Sequence, residues 1–205
     1  MTTDSDSAAD LRVNTFSDFV VVSCKATEGG LDLLLFVVWS VARDWLSKGY
    51  LSRGGITKGQ VIHIGGDDRT SGLVFGPAFI EAYLIEQDVA DFPRVLLSKA
   101  VRADVKEFKK NGDKTISAIK KLVVRCADGP ASIDLFAHLR KTGFKFLGEN
   151  HADEAEQFRK ALTDQMEHSV DVPKWHRKTT WLIECFNEAV KTTAYADKTI
   201  SVHED

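Results

Sequence analysis

Cysteine is scarce in this chain: three in 205 residues, Cys24, Cys126 and Cys185, far apart and each in an apolar context. An odd, scattered set without C-x-x-C or Cys/His spacing argues against a disulfide framework or a cysteine metal site. It points to buried, reduced thiols in a cytoplasmic protein. Excess charge is missing too. A net charge of −3 and a pI near 6.1 give no basic excess for a nucleic-acid backbone, so no nucleic-acid partner is expected. The longest apolar run, "LDLLLFVVWSVA", contains Asp32 and is too short to span a bilayer, so no membrane segment is expected. The start, "MTTDSDSAAD", is polar and acidic, with neither the basic start nor the apolar core of a signal peptide. "GGITKGQ" lacks the spacing of a phosphate-binding loop, and the six histidines form no H-E-x-x-H pair. His63, alternating with apolar neighbours, reads as a half-buried structural residue. No Ser/His/Asp arrangement, internal repeat or low-complexity segment stands out.

What is present is a chain 43% hydrophobic and 28% charged, enough for one substantial core and a helical appendage. Residues 1–10 read as a disordered tail. "LRVNTFSDFVVVSC" (11–24) reads as a strand pair with Ser17–Asp18 at the bend. A lone carboxylate there is either a solvated turn residue or a ligand for a divalent cation. Residues 31–47 carry apolar side chains at helical spacing, Leu31, Leu34, Leu35, Val38, Val41, Ala42 and Trp45. The apolar stripe is wide enough that this helix must be buried on several sides or pack against a second subunit. The segment 50–66 reads as one strand, with interior glycines marking a bulge or a close backbone approach. A hairpin loop over 65–72, a short strand over 73–76 and a helix over 77–90 beginning at Pro77 follow. Next come a strand over 93–98, a helix over 99–111 and a strand pair around Asp128–Gly129 within 120–136. After residue 150 two amphipathic helices meet near Pro173, and residues 196–205 read as a frayed tail. Strands and helices mix without strict alternation, so the fold class is α+β: a domain over 11–150 with a helical extension over 151–195.

The order of motifs carries a resemblance. "FSD" at a strand turn, a buried helix, "RGGITKGQV", a hairpin, "VFGPAFIEAYLIE" and "PRVLLS" resemble the class III nucleotidyl cyclase catalytic domain. They look most like the bacterial pyrimidine cyclases of the Pycsar antiphage systems, and "KWHRKTTWLIECFNE" is similar to the closing helix of that subgroup. The resemblance covers roughly residues 11 to 190. It implies a mixed sheet with packed helices, a homodimer whose active sites lie between subunits, and Mg²⁺ or Mn²⁺ as cofactor. The implied reaction turns UTP, or next CTP, into a 3′,5′-cyclic mononucleotide and pyrophosphate, the product being read by a separate effector. Carboxylate-held cations lower the pKa of the attacking ribose hydroxyl and neutralise the triphosphate, while cationic side chains steady the α-phosphate.

Carried over residue by residue, Asp18 matches the family's second metal aspartate. The first belongs to an earlier strand, and the 17 residues before Asp18 contain no matching context. Ile80 and Leu84 stand where many members carry Asn and Arg, so Arg53 in "SRGG" and Arg94 in "FPRVLL" are the candidates for phosphate chemistry. A surface salt bridge is the competing role for either. Glu81 and Glu86 read as solvated or paired. Tyr50 and Asn14 are candidates for contacting the pyrimidine, an amide offering donor and acceptor together. Leu73 gives up a polar base contact that purine cyclases often keep, and Lys145 is a lesser candidate for phosphate. The alternative expectation is a catalytically impaired cyclase-like dimer that binds nucleotide or regulates a partner.

Overall fold

Thr27 starts the longest helix: its hydroxyl accepts the Gly30 amide at 3.1 Å, the bond an N-cap residue supplies to an otherwise unpaired donor. In the computed structural model, which describes residues 10–65, 72–111, 118–140 and 151–202, this is α1, Glu28–Ser47. Its buried side chains Leu31, Leu34, Leu35 and Trp39 enter a first core, and Leu46, near its C-terminus, enters a second. The helix therefore spans both. Asp32, the polar interruption of the apolar run, accepts the amide of Ile119 at 2.9 Å in the short helix α4, Ala118–Lys121.

The strands form three groups. β1 (Arg12–Thr15) and β2 (Val20–Ser23) make an antiparallel hairpin, as expected. The expected strand over 50–66 is two: β3 (Gly54–Ile56) and β4 (Ile62–Ile64), which go to different sheets. β4 pairs antiparallel with β5 (Leu73–Phe75). β3 pairs parallel with β6 (Val95–Leu97), which pairs antiparallel with β8 (Ala131–Ile133), and β8 with β7 (Val123–Arg125). The sheet order is β3-β6-β8-β7. All three residues of β6 are buried, as an interior strand covered on both faces requires. The β7–β8 turn uses Gly129 at φ +110°, a conformation that side chains resist.

α2 (Pro77–Leu84) runs into a π-helical turn at Ile85–Val89, and together they lie against β3. Gly55 makes this possible: a Cβ there would stand 2.5 Å from the Ala82 carbonyl oxygen and 2.7 Å from the Ile85 Cβ. α3 (Lys99–Asn111) supplies Val101 and Val105 to the first core.

The second core joins α5 (Ala152–His168) and α6 (Pro173–Val190) to Leu46, Phe136 and Leu139. Phe158 and Phe186 each meet the Phe136 ring edge-on, at 5.7 and 5.4 Å. Gln165 ties the pair together: its amide donates to the Gly49 carbonyl and its oxygen accepts the Trp175 indole, both at 2.9 Å. The end of the chain is not frayed through residue 202. Asn187 bonds both the amide and the carbonyl of Ile200, and Ile200 and Val202 pack on the second core. No helix among the described residues is long and apolar enough to cross a membrane. The architecture is α+β.

Candidate functional site

Arg94 sits where the chain enters β6, and its position is fixed by backbone before any side chain acts. Its carbonyl accepts the Gly54 amide at 3.2 Å, so Arg53 and Arg94 precede paired residues of two parallel strands. The two side chains then part. Arg53 pairs through Nε with Glu86 of the π-helical turn at 2.5 Å and donates to the Ala90 carbonyl at 3.4 Å. Arg94 turns under α6, where its guanidinium lies over the rings of Phe92 and Trp181 at 5.5 and 5.4 Å. It binds both oxygens of Asp128, at 2.9 and 2.5 Å.

That ion pair is lopsided. The Arg94 side chain is 5% exposed and the Asp128 side chain 49%. The guanidinium is thus a buried cation whose counter-charge stands at the solvent rim, and its Nε has no partner. The hydrogen bond to Arg94 holds the Asp128 carboxyl below its ordinary value despite partial desolvation, and the same bond raises Arg94. Both border a cavity of about 440 Å³ between the sheet and α6, with Asp134, Arg140, Trp181 and Cys185 also on its wall. Asp134 accepts from Arg140 at 2.6 Å. Burial pushes the Cys185 thiol up to about 12, so it is no nucleophile at neutral pH. The cavity offers a planar, forked donor to any anion that displaces Asp128.

A consequence can be measured. Asp128→Asn leaves the buried guanidinium without a counter-charge. Breaking a fully buried pair costs about 3–5 kcal/mol, and solvent at Asp128 reduces the expected loss to about 1.5–3 kcal/mol in urea unfolding. Because the folded carboxyl titrates below its unfolded value of 3.8, this stability is complete above that value and is lost as pH falls through the lower, folded one. Wild type should therefore lose stability more steeply than Asp128→Asn below about pH 4. Equal slopes would show that the pair contributes nothing.

The other sequence candidates lie elsewhere. Asp18 is exposed at the bend of the β1–β2 hairpin, and no hydrogen bond or ion pair to another described residue engages its carboxylate. The hairpin tip is anchored by its rings: Phe16 stacks on Phe19 at 4.6 Å, and Phe19 reaches Phe79 of α2 at 6.5 Å. Asn14 is half-buried in β1, opposite Val21. Tyr50 follows α1, 67% exposed, its amide bonded to the Trp45 carbonyl. Lys145 and most of the 65–72 loop lie outside the described residues. His63 is half-buried and takes part in a 2.9 Å bond with the Ser23 hydroxyl that joins the two hairpins. Within one chain the structure brings Arg53 and Arg94 together only through backbone, and joins neither to Asp18 by any described bond.

One cluster was not legible as a site. His138, His151 and Glu154 present possible ligand atoms that all lie within 4.8 Å of one another. Their separation along the chain follows no ligand motif. The closeness depends on the turn after β8 meeting the start of α5. No protein-family model, curated protein or solved structure matches the chain.

Proposed function

We propose that this chain is a pyrimidine nucleotidyl cyclase, acting as a homodimer that converts UTP to 3′,5′-cyclic UMP and pyrophosphate as a defence signal for a separate effector. The reading rests on the motif order, and one observation supports it: the setting of the hairpin that carries Asp18. That carboxylate is exposed and uncommitted, and its hairpin is held by aromatic contact to the start of α2. Beside it, Ile62, Ile64, Leu73, Ile80, Tyr83 and Leu84 are exposed large apolar side chains on neighbouring elements. A surface of this kind fits a second copy of the chain, and a site shared between copies needs one.

Asp18 fits a Mg²⁺ or Mn²⁺ ion in the limited sense that such ions take one or two protein carboxylates and complete their shell with phosphate and water. When bound, the ion activates the ribose hydroxyl and neutralises the triphosphate. Arg53 would serve phosphate from the start of β3 by exchanging Glu86 for it, and Arg94 by exchanging Asp128. Tyr50, largely exposed, and Asn14 would meet the base.

The test is incubation of the full chain with each nucleoside triphosphate and Mn²⁺, with chromatography of the products. Cyclic UMP in excess over the other cyclic nucleotides is expected, from a species of twice the monomer mass in light scattering. Leu84→Asp, on the exposed apolar face, should yield a folded monomer without product. A lack of cyclic product from every triphosphate would remove the enzymatic reading.

A second reading is favoured by a specific observation: both candidate arginines are already engaged, by Glu86 and Asp128. It holds the chain to be a catalytically impaired dimer that binds nucleotide or regulates a partner. Dimerisation and nucleotide binding without turnover would select it.

A further inference from the structure

We propose that His138, His151 and Glu154 form a binding site for a divalent transition cation of the zinc class, separate from the Asp18 hairpin. The distances come first. His138 Nε2 lies 3.1 Å and His151 Nδ1 3.6 Å from the same oxygen, Glu154 Oε2. Metal–ligand distances of about 2.0–2.1 Å in a tetrahedral site give a ligand–ligand edge of about 3.3 Å, and the two separations bracket it.

Unmet hydrogen bonding at a buried ligand atom is the second observation. The His138 side chain is 1% exposed, and its Nε2, the nitrogen that faces Glu154, has no aligned hydrogen bond although the carboxylate oxygen stands 3.1 Å away. Buried polar atoms in that state are rare and call for an explanation. His138 Nε2 stands at contact distance from Glu154 without the alignment of a hydrogen bond, as two ligands of one cation do.

The surroundings orient the set. Arg43 Nε holds the other carboxylate oxygen, Glu154 Oε1, at 2.9 Å and so leaves Oε2 for the histidines. The Arg43 guanidinium lies over Trp39 at 4.4 Å, and the Trp39 ring meets His138 edge-on at 5.3 Å. Contacts of this kind fix the direction in which Glu154 and His138 face. The positive charge of Arg43 works against a cation, but it is spent on the oxygen that faces away. Two imidazoles and one carboxylate suit zinc, cobalt or nickel, whereas Mg²⁺ and Ca²⁺ favour all-oxygen shells. Water completes the shell. The bound ion would clamp the turn after β8 to the first turn of α5, where the second core begins.

The experiment uses the full chain, stripped with a chelator and dialysed, then titrated with Zn²⁺ by calorimetry. One Zn²⁺ per chain is expected, with no competition from millimolar Mg²⁺. Co²⁺ in its place should give the intense visible absorption of a tetrahedral site. His151→Ala and Glu154→Gln, both at half-buried positions, should each weaken Zn²⁺ binding by about 100-fold or more, since outer partners alone account for about 10–100-fold. No binding by the wild-type chain, an octahedral cobalt spectrum, or affinity unchanged in both variants would overturn the assignment, leaving a Glu154–histidine ion pair. Because the readout is zinc affinity and cobalt colour, it is independent of any cyclase activity.

Discussion

Phe158→Ala should lower the free energy of unfolding by about 3–5 kcal/mol, the range for emptying a buried aromatic site. Phe158 is fully buried, edge-on to Phe136 and within 6.1 Å of the His138 ring. It stands where the sheet side of the molecule meets α5 and α6, so its removal opens a void on both sides. Domains of this size hold about 5–15 kcal/mol in total, so the loss takes a large share of the margin. Urea unfolding should show a lower midpoint with an unchanged slope. Phe158→Leu keeps most of the volume and should cost much less. A loss below about 1 kcal/mol for the alanine variant would mean that the void collapses and that the helices do not share a core with the rest.

Asp18→Asn is the matching prediction for activity. In the proposed enzyme it should lower cyclic UMP formation by roughly 10²–10³-fold, about 2.7–4 kcal/mol of transition-state stabilisation, the scale for removing one preorganised electrostatic partner. Stability should hardly move, because the side chain is exposed and surface substitutions away from special features usually stay within about 0.5 kcal/mol. The contrast makes the result decisive. A fall in turnover with an unchanged thermal midpoint supports a metal role for Asp18. An Asp18→Asn chain that cyclises UTP as fast as wild type removes that role, and raised Mn²⁺ should partly restore a variant that has only lost affinity.

The parts of this structure readable from sequence are those set by neighbours along the chain. α1 announces itself through apolar side chains at helical spacing, and the β1–β2 and β7–β8 hairpins through turn residues at their bends. The stretch 50–66 misleads because Gly54, Gly55 and Ile56 pair with β6, 41 residues on, while Ile62–Ile64 pairs with β5. Nothing local marks that the two segments belong to different sheets. Asp128 reads as a turn residue, which it is, and only the fold reveals it as the partner of Arg94, 34 positions away. Likewise, His138 and His151 are scattered histidines until the turn after β8 packs on α5. The frayed tail fails for a similar reason: Ile200 and Val202 have somewhere apolar to go only once α5 and α6 have paired.

The bare backbone at Gly55 has a mechanical meaning. Where a helix rides on a sheet through interleaved side chains, rotamer changes can soak up small displacements. Here the Ala82 carbonyl oxygen of α2 and the branched Ile85 side chain occupy the space a methyl group would fill, so little play is left between helix and strand. The face carrying Ile80 and Leu84 is thereby seated on β3, and through the parallel ladder on the strand that Arg94 precedes, with the cavity under α6 beyond it.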